Sequence, residues 1–311
     1  MKIAVLIPCY NVEHFIADGL DSVLAAGASM IICADDGSTD NTAEILKSYA
    51  ERYSQVKVFQ HPNHGVSYTR NFLLEQLPDS VDAFTFMDAD DTIAPDYLSR
   101  LEEAMERTNA DIVEYAAHLV KKETLVEDPS VFWLKRTNPG IRSAIVGKLI
   151  SRKACGAVRL RAELSYEEDL MYSYEINAVI RRKVILPGFP YNYRYNPASA
   201  TQNINWRRYV ESACMRIKLF QTEFLGARRV PEALEEEFRR DLVQDAYRMC
   251  LRKNLRKNRD AALRHELFDY VSDFFRGKCV LSTKGLGLIQ RLTFACCLRK
   301  RYLASRILTW F

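Results

Sequence analysis

Short apolar runs and amphipathic stretches alternate through the first 120 residues. Residues 2–7 form an apolar run suited to a buried strand. Residues 12–26 place Ile16, Leu20, Val23 and Leu24 at helical spacing, with Asn11 positioned as a cap. A second apolar run, 30–34, precedes a helical pattern over 41–53, where Ile45, Leu46, Tyr49 and Tyr53 share one face and Asn41 and Glu44 have capping-box spacing. Strands at 56–60, 83–87 and 112–120 and helices at 66–77 and 95–108 continue the alternation. The order predicts an α/β fold, a mostly parallel sheet flanked by helices. Beyond residue 120 the pattern is mixed, with strand-like runs at 183–186 and 191–195 and a helix-like stretch at 166–180. From Trp206 onward it reads as helices rich in Arg and Lys, which predicts a catalytic domain over 1–205 and a basic helical C-terminal extension over 206–311.

In parallel sheets ligands lie beyond the carboxyl ends of the strands. The unusual polar clusters all fall at such ends: Pro8-Cys9-Tyr10-Asn11, Asp35-Asp36-Gly37-Ser38, His61 to Gly65, and Asp88-Ala89-Asp90-Asp91. One cluster at one strand end is uninformative; the coincidence of all of them outlines a site.

Charge sharpens the picture. Residues 1–120 hold 7 Lys/Arg and 20 Asp/Glu, a net of −13, whereas residues 121–311 hold 37 and 20, a net of +17. The acidic half suits cation binding, and the basic half suits diphosphates, an anionic membrane surface or nucleic acid. The 8 cysteines show no C-x-x-C spacing, the opening apolar run stops at Pro8 and is too short for a secretory signal, and no run of 18 apolar residues occurs. These features lead us to expect a cytoplasmic protein with reduced thiols.

Asp88 and Asp90 lie two residues apart after a strand, so their carboxylates face one way. Such a pair suits manganese or magnesium, which prefer oxygen ligands and keep phosphate and water in their shells. The plainer alternative is that Asp88, Asp90 and Asp91 end a strand and cap a helix. Asp35 to Asp40 carries the same ambiguity: Gly37 permits a tight turn and Ser38 to Asp40 can cap the next helix, but this leaves Asp35 and Asp36 unexplained.

Several motifs in order resemble the inverting family 2 glycosyltransferases, which have the GT-A fold. They are Ile7-Pro8-Cys9-Tyr10-Asn11, Asp35-Asp36-Gly37-Ser38-Thr39-Asp40, Asn63-x-Gly65-Val66-Ser67-x-x-Arg70-Asn71, Met87-Asp88-Ala89-Asp90-Asp91, Glu168-Asp169 and Tyr193-Arg194-x-Asn196-Pro197-x-Ser199. The resemblance covers residues 1–200 and implies roles for the matching positions. Pro8, Tyr10 and Asn11 would line the nucleotide pocket. Asp36 would contact the donor base, with Asp35 supporting it, and Arg70 would approach the nucleotide or diphosphate. Asp88 and Ala89 would lie near the ribose, Asp90 with Asp88 would hold the metal, and Asp169 would be the general base. Glu168 would touch acceptor or support the base, and Lys148 matches a lysine that could contact acceptor or diphosphate. Taken alone, Asp169 reads as an acid in a first helical turn, and Lys148 as a solvated surface residue. His61 and His64 either touch the donor or are incidental.

The resemblance also implies a UDP-sugar donor, a hexose or N-acetylhexosamine, and a bacterial polysaccharide or lipo-oligosaccharide acceptor. In residues 284–311, six basic residues and no acid accompany an apolar side of Leu292, Cys296, Leu303, Ile307 and Trp310. A helix with this pattern either lies on the inner face of the cell membrane or packs on the catalytic domain. Competing functions fit less well. A nucleotidyltransferase or a dehydrogenase needs a glycine-rich loop after the first strand, and Pro8 to Asn11 has no glycine. A receiver-like domain is much shorter and leaves Glu168-Asp169 and the 193–199 stretch unexplained, and retention of Asp36, Asp88, Asp90 and Asp169 argues against a degenerate transferase that only binds. The acidic first half and the lack of a nucleic-acid module make nucleic acid a poor partner.

Overall fold

A computed structural model describes residues 1–115, 124–126, 145–188, 190–199, 202–225 and 254–277, with isolated positions between and after them. The chain divides into two compact units, Met1–Ala162 with Glu168–Pro197, and Glu163–Glu167 with Ala198–Phe311.

The first unit is built on a sheet that, among the described residues, has eight strands in the order β3-β2-β1-β4-β8-β6-β9-β7. These are β1 (Ile3–Cys9), β2 (Met30–Asp35), β3 (Val56–Gln60), β4 (Ala83–Phe86), β6 (Ile112–Tyr115), β7 (Thr124–Val126), β8 (Lys148–Ser151) and β9 (Lys183–Leu186). Thr92–Ile93 (β5) and Tyr191–Asn192 (β10) pair antiparallel as a separate two-stranded ladder. β1, β2, β3 and β4 run parallel, so their carboxyl ends share one edge. β8 is antiparallel to both β4 and β6. As expected of a strand covered on both faces, Ala4, Val5, Leu6 and Ile7 of β1 are wholly buried. Burying a Leu or Ile side chain contributes about 1.5–3 kcal/mol, so this strand anchors the sheet.

Helices α1 (Ile16–Ala25), α2 (Thr42–Arg52), α3 (Val66–Glu75) and α4 (Tyr97–Thr108) follow the first strands, and α5 (Arg152–Cys155) and α6 (Glu168–Asn177) follow β8. Ile16, Leu20 and Val23 of α1 are buried at the predicted spacing. The expected caps fail. Asn11 lies outside α1, with φ 50°. Asn41 precedes α2, but its amide turns away to Glu13 Oε2 at 2.6 Å. Asp40 supplies the acceptor instead, taking the Thr42 N–H at 3.0 Å. The sequence pattern misses the short elements β5, β7, α5 and β8, and the four residues of β8 open on a charged lysine and so lack an apolar signature. Of the strand expected at 112–120, residues 116–120 lie outside the described residues.

In the second unit, Trp206–Leu219 is a helix, capped by Asn205 Oδ1, which accepts the Arg208 N–H at 3.1 Å. Asn254–Lys257 and Ala261–Gly277 are helical too. Arg216 is fully buried, with its guanidinium 2.8 Å from Glu167 Oε2. The amphipathic stretch 284–311 falls outside the described residues except at isolated positions. No helix among the described residues is long and apolar enough to cross a membrane.

Candidate active site

The loops after β1, β2 and β3 are laced together at the sheet's carboxyl edge. The Asn11 N–H donates to Ser38 Oγ at 2.9 Å, and Asn11 Oδ1 accepts the Thr39 N–H at 2.8 Å. The residue expected to cap α1 thus joins two loops, and its left-handed φ suits a short polar side chain. Tyr10 beside it is half exposed. Asp35 is buried and structural: Oδ1 accepts the Ser38 N–H at 3.1 Å and the Ser38 hydroxyl, and Oδ2 accepts Gln60 Nε2 at 3.0 Å. Gln60 was invisible as a site residue, since nothing in its sequence context marks it.

Asp36 faces the next loop. Oδ1 accepts the His64 N–H at 2.6 Å and Oδ2 the Gly65 N–H at 2.9 Å, while His61 Nδ1 stands 3.4 Å from Oδ1. Gly65, at φ 90°, precedes α3. Asp36 therefore shapes the loop that launches α3 and Arg70. Gly37 has φ 71°, and a Cβ there would stand 2.8 Å from the Asn63 backbone nitrogen.

Beyond β4 the chain makes the turn of Asp88, Ala89, Asp90 and Asp91. Ala89 is buried. The Asp88 N–H donates to the Tyr191 hydroxyl at 3.1 Å. Burial pushes the Tyr191 phenol well up, so it stays protonated. Asp91, expected as one of three similar acids, is wholly buried, and its Oδ1 accepts the Arg194 N–H at 2.9 Å. Burial raises its carboxyl to about 6 against that hydrogen bond, with the nearby Asp88 and Asp90 adding to the rise. Asp90 presents its carboxylate at the surface of the turn, where Oδ2 accepts Asn196 Nδ2 at 2.9 Å. Asp88 Oδ2 and Asp90 Oδ1 have no hydrogen-bond partner among the described residues.

Arg70, in α3, joins the pieces. Its Nη2 donates to Asp88 Oδ1 and its Nη1 to Glu168 Oε1, both at 2.9 Å. Burial pulls the guanidinium pKa down, but Asp88, Glu168 and Asp169 outweigh it and hold the group firmly charged. Glu168 and Asp169 form the first turn of α6, and Asp169 Oδ1 accepts the Leu170 N–H at 2.7 Å. The Asp-x-Asp turn and the Glu-Asp motif thus meet on one arginine. Lys148 is not the solvated lysine one reading allowed. It is buried in β8 with its ammonium 2.7 Å from Glu114 Oε2, and Lys183 Nζ stands 3.6 Å from the same oxygen.

No cluster of three or more His, Cys, Asp or Glu arranged as a metal cage occurs among the described residues. The unpaired oxygens of Asp88 and Asp90 nevertheless fit a hard cation that takes one or two carboxylates and completes its shell with phosphate and water.

Residues 4–162 match the family model described as glycosyl transferase family 2. The chain belongs to that family. Within it, the chain is 29% identical over 217 residues to the putative glycosyltransferase EpsH of Bacillus subtilis, covering 64% of this chain and 62% of that one. It is 35% identical over 113 residues to glycosyltransferase GlyA of Streptococcus pneumoniae, covering 36% and 16%. The chain therefore spans less than two thirds of the length of these relatives. The fold matches the crystal structure of S. aureus TarS 1–349 in complex with UDP-GlcNAc, with a TM-score of 0.75 at 17% identity, covering 100% of this chain and 91% of that one. The family's GT-A-like architecture is the one described above, a mostly parallel sheet flanked by helices with a helical extension after it.

Proposed function

We propose that this chain transfers a hexose or N-acetylhexosamine from a nucleotide-diphosphate sugar to a hydroxyl of a glycan or glycolipid, with inversion. The donor in this reading is a UDP-sugar. The acceptor belongs to cell-surface polysaccharide or lipo-oligosaccharide assembly at the inner face of the membrane. The observation that carries the reading is Arg70, which holds Asp88 and Glu168 from its two nitrogens at 2.9 Å. It brings the carboxylates suited to a metal-bound diphosphate beside those suited to the acceptor.

The residues divide the work. Pro8, Tyr10, Asn11, Asp35 and Asp36 form the nucleotide side of the site. Asp36 and Asp35 fix the loops there, and Tyr10 offers an exposed ring. Arg70 balances charge near the diphosphate. Asp90 and Asp88 would hold manganese or magnesium, which when bound supplies charge neutralisation to the departing diphosphate. Asp169 lies next to Glu168 and takes the acceptor's proton. The new bond joins the acceptor oxygen to the anomeric carbon on one face. The bond from that carbon to the phosphate oxygen breaks on the other, and its electron pair leaves with the diphosphate. A single displacement needs no covalent intermediate and inverts the centre. The TarS likeness supports the UDP-sugar, and the poly(ribitol-phosphate) beta-glucosyltransferase of Bacillus spizizenii, 28% identical over 211 residues, supports a cell-surface acceptor.

The test is release of nucleoside diphosphate from UDP-, GDP- and dTDP-sugars, with manganese and with EDTA, in parallel with donor-induced thermal stabilisation. Metal-dependent release from one donor is expected. Neither release nor stabilisation by any donor would favour a non-catalytic binding protein.

A further inference from the structure

The motif Tyr193-Arg194-x-Asn196 has no role in the reaction outlined above, yet Arg194 and Asn196 both hydrogen-bond to the Asp-x-Asp turn. β10 pairs with β5 in the register Tyr191↔Ile93 and Asn192↔Thr92, which carries the chain directly over that turn. Arg194 then brackets it. Its backbone N–H donates to Asp91 Oδ1 at 2.9 Å and its Nε to the Asp90 carbonyl oxygen at 2.6 Å. Its remaining nitrogens reach the β1–α1 region, Nη1 to Asp18 Oδ2 at 2.8 Å and Nη2 to the Phe15 carbonyl at 2.9 Å, with the guanidinium over the Phe15 ring. The backbone of Asp90 is thereby tied to the segment after β10 and to the start of α1. Asn196, buried to 8% exposure, completes the hold by donating its amide to Asp90 Oδ2.

We propose that Arg194 and Asn196 are positioning residues that present Asp90 to a cation through a single carboxylate oxygen, Oδ1, and so favour small six-coordinate ions over calcium. The inference rests on the metal-dependent reading of the site. An amide N–H on one oxygen takes up one of its lone pairs and fixes the carboxylate's orientation, which biases a cation towards the other oxygen. Magnesium and manganese accept one oxygen per carboxylate in octahedral shells, whereas calcium takes larger, irregular shells in which bidentate carboxylates are common. Partners that orient a ligating carboxylate are worth about 10–100-fold in metal affinity. Asn196 does this through the side chain, and Arg194 through the backbone.

The experiment titrates manganese into the full chain with UDP present and reads free manganese by electron paramagnetic resonance. It compares wild type, Asn196→Ala and Arg194→Ala, then repeats each titration against calcium as competitor. Asn196→Ala removes one hydrogen bond and leaves the Arg194 contacts in place, so a melting temperature near wild type keeps it interpretable if Arg194→Ala folds poorly. The expected result is manganese affinity about 10–100-fold weaker in the variants. Calcium should compete better in Asn196→Ala than in wild type, and UDP binding without metal should be unchanged. Wild-type manganese affinity and calcium discrimination in a folded Asn196→Ala would overturn the inference while leaving the metal site standing. A wild type that binds no manganese with UDP would overturn both.

Discussion

Arg70 and Glu168 stand 98 positions apart in the chain, and their side chains meet at 2.9 Å. The same guanidinium reaches Asp88 at the same distance, so one buried cation spans two acidic motifs from different parts of the sequence. A carboxylate cluster of this density would repel itself apart without that charge.

Removing the cation should therefore cost stability as well as activity. Arg70→Met leaves Asp88, Glu168 and Asp169 facing one another, and loss of about 3 kcal/mol is expected for breaking a buried pair. Arg70→Lys should recover only part, since one ammonium cannot reproduce the two-pronged contact. Urea unfolding of the three proteins measures both values; equal midpoints for Arg70→Met and wild type would contradict the bridging role.

The two acidic motifs should separate kinetically. Asp90→Asn is expected to abolish metal-dependent turnover. Asp169→Asn is expected to keep donor binding while transfer falls by at least about 100-fold, the usual scale for loss of a general base. Donor affinity by calorimetry and diphosphate release on the same samples check this. Persistent transfer in Asp169→Asn would move the base elsewhere.

Gly37 is a loop position with little tolerance for a side chain. At φ 71°, with a backbone nitrogen 2.8 Å from where a Cβ would sit, Gly37→Ala must shift the β3–α3 loop. The expected outcome is a stability loss of about 1–3 kcal/mol, together with weaker nucleotide binding. Thermal melting with and without UDP tests the two halves.

The buried Glu114–Lys148–Lys183 group gives a pH signature. Burial, resisted by Glu114, lowers Lys183 from 10.5 to about 8. Between those values the unfolded chain binds the proton and the folded chain has released it, so this group's contribution to stability rises with pH across that window. Below pH 8 the cost of burying the charge is fully present. Unfolding free energies at pH 7.5 and 9.5 should therefore rise more in wild type than in Lys183→Met. Identical pH slopes would mean Lys183 is not titrating there. Glu114→Gln, which strands two buried ammoniums, should lower stability by about 3 kcal/mol or more.

The sheet and the strand ends bearing the acids were legible because burial on both faces imposes apolar runs, and because charge at a strand end is conspicuous. β8 was not: it is four residues long, starts on Lys148, and its lysine is neutralised by a glutamate 34 positions earlier. The helix caps misled for a related reason. Asn11 and Asn41 have the right chemistry, but cross-loop partners at Thr39 and Glu13 claimed their side chains. Within the site, the motifs identified Asp36, Asp88, Asp90 and Glu168 as residue types. They carried no trace of the pairings, because a contact such as Arg194 with Asp90, 104 positions apart, leaves no periodicity to read. Asp91 looked equivalent to its neighbours, and only burial distinguishes it.

The chain enters the helical unit twice, first for the five residues Glu163–Glu167 and again from Ala198. Glu167, at φ 61°, ends the first visit paired with Arg216 of the second, one peptide bond before Glu168. Neither unit is therefore a continuous stretch of gene. A single crossover that exchanged the extension for another would strand Glu167 without its arginine immediately upstream of Asp169. Such a lineage can vary its helical unit by point substitution, but it cannot trade that unit as a cassette.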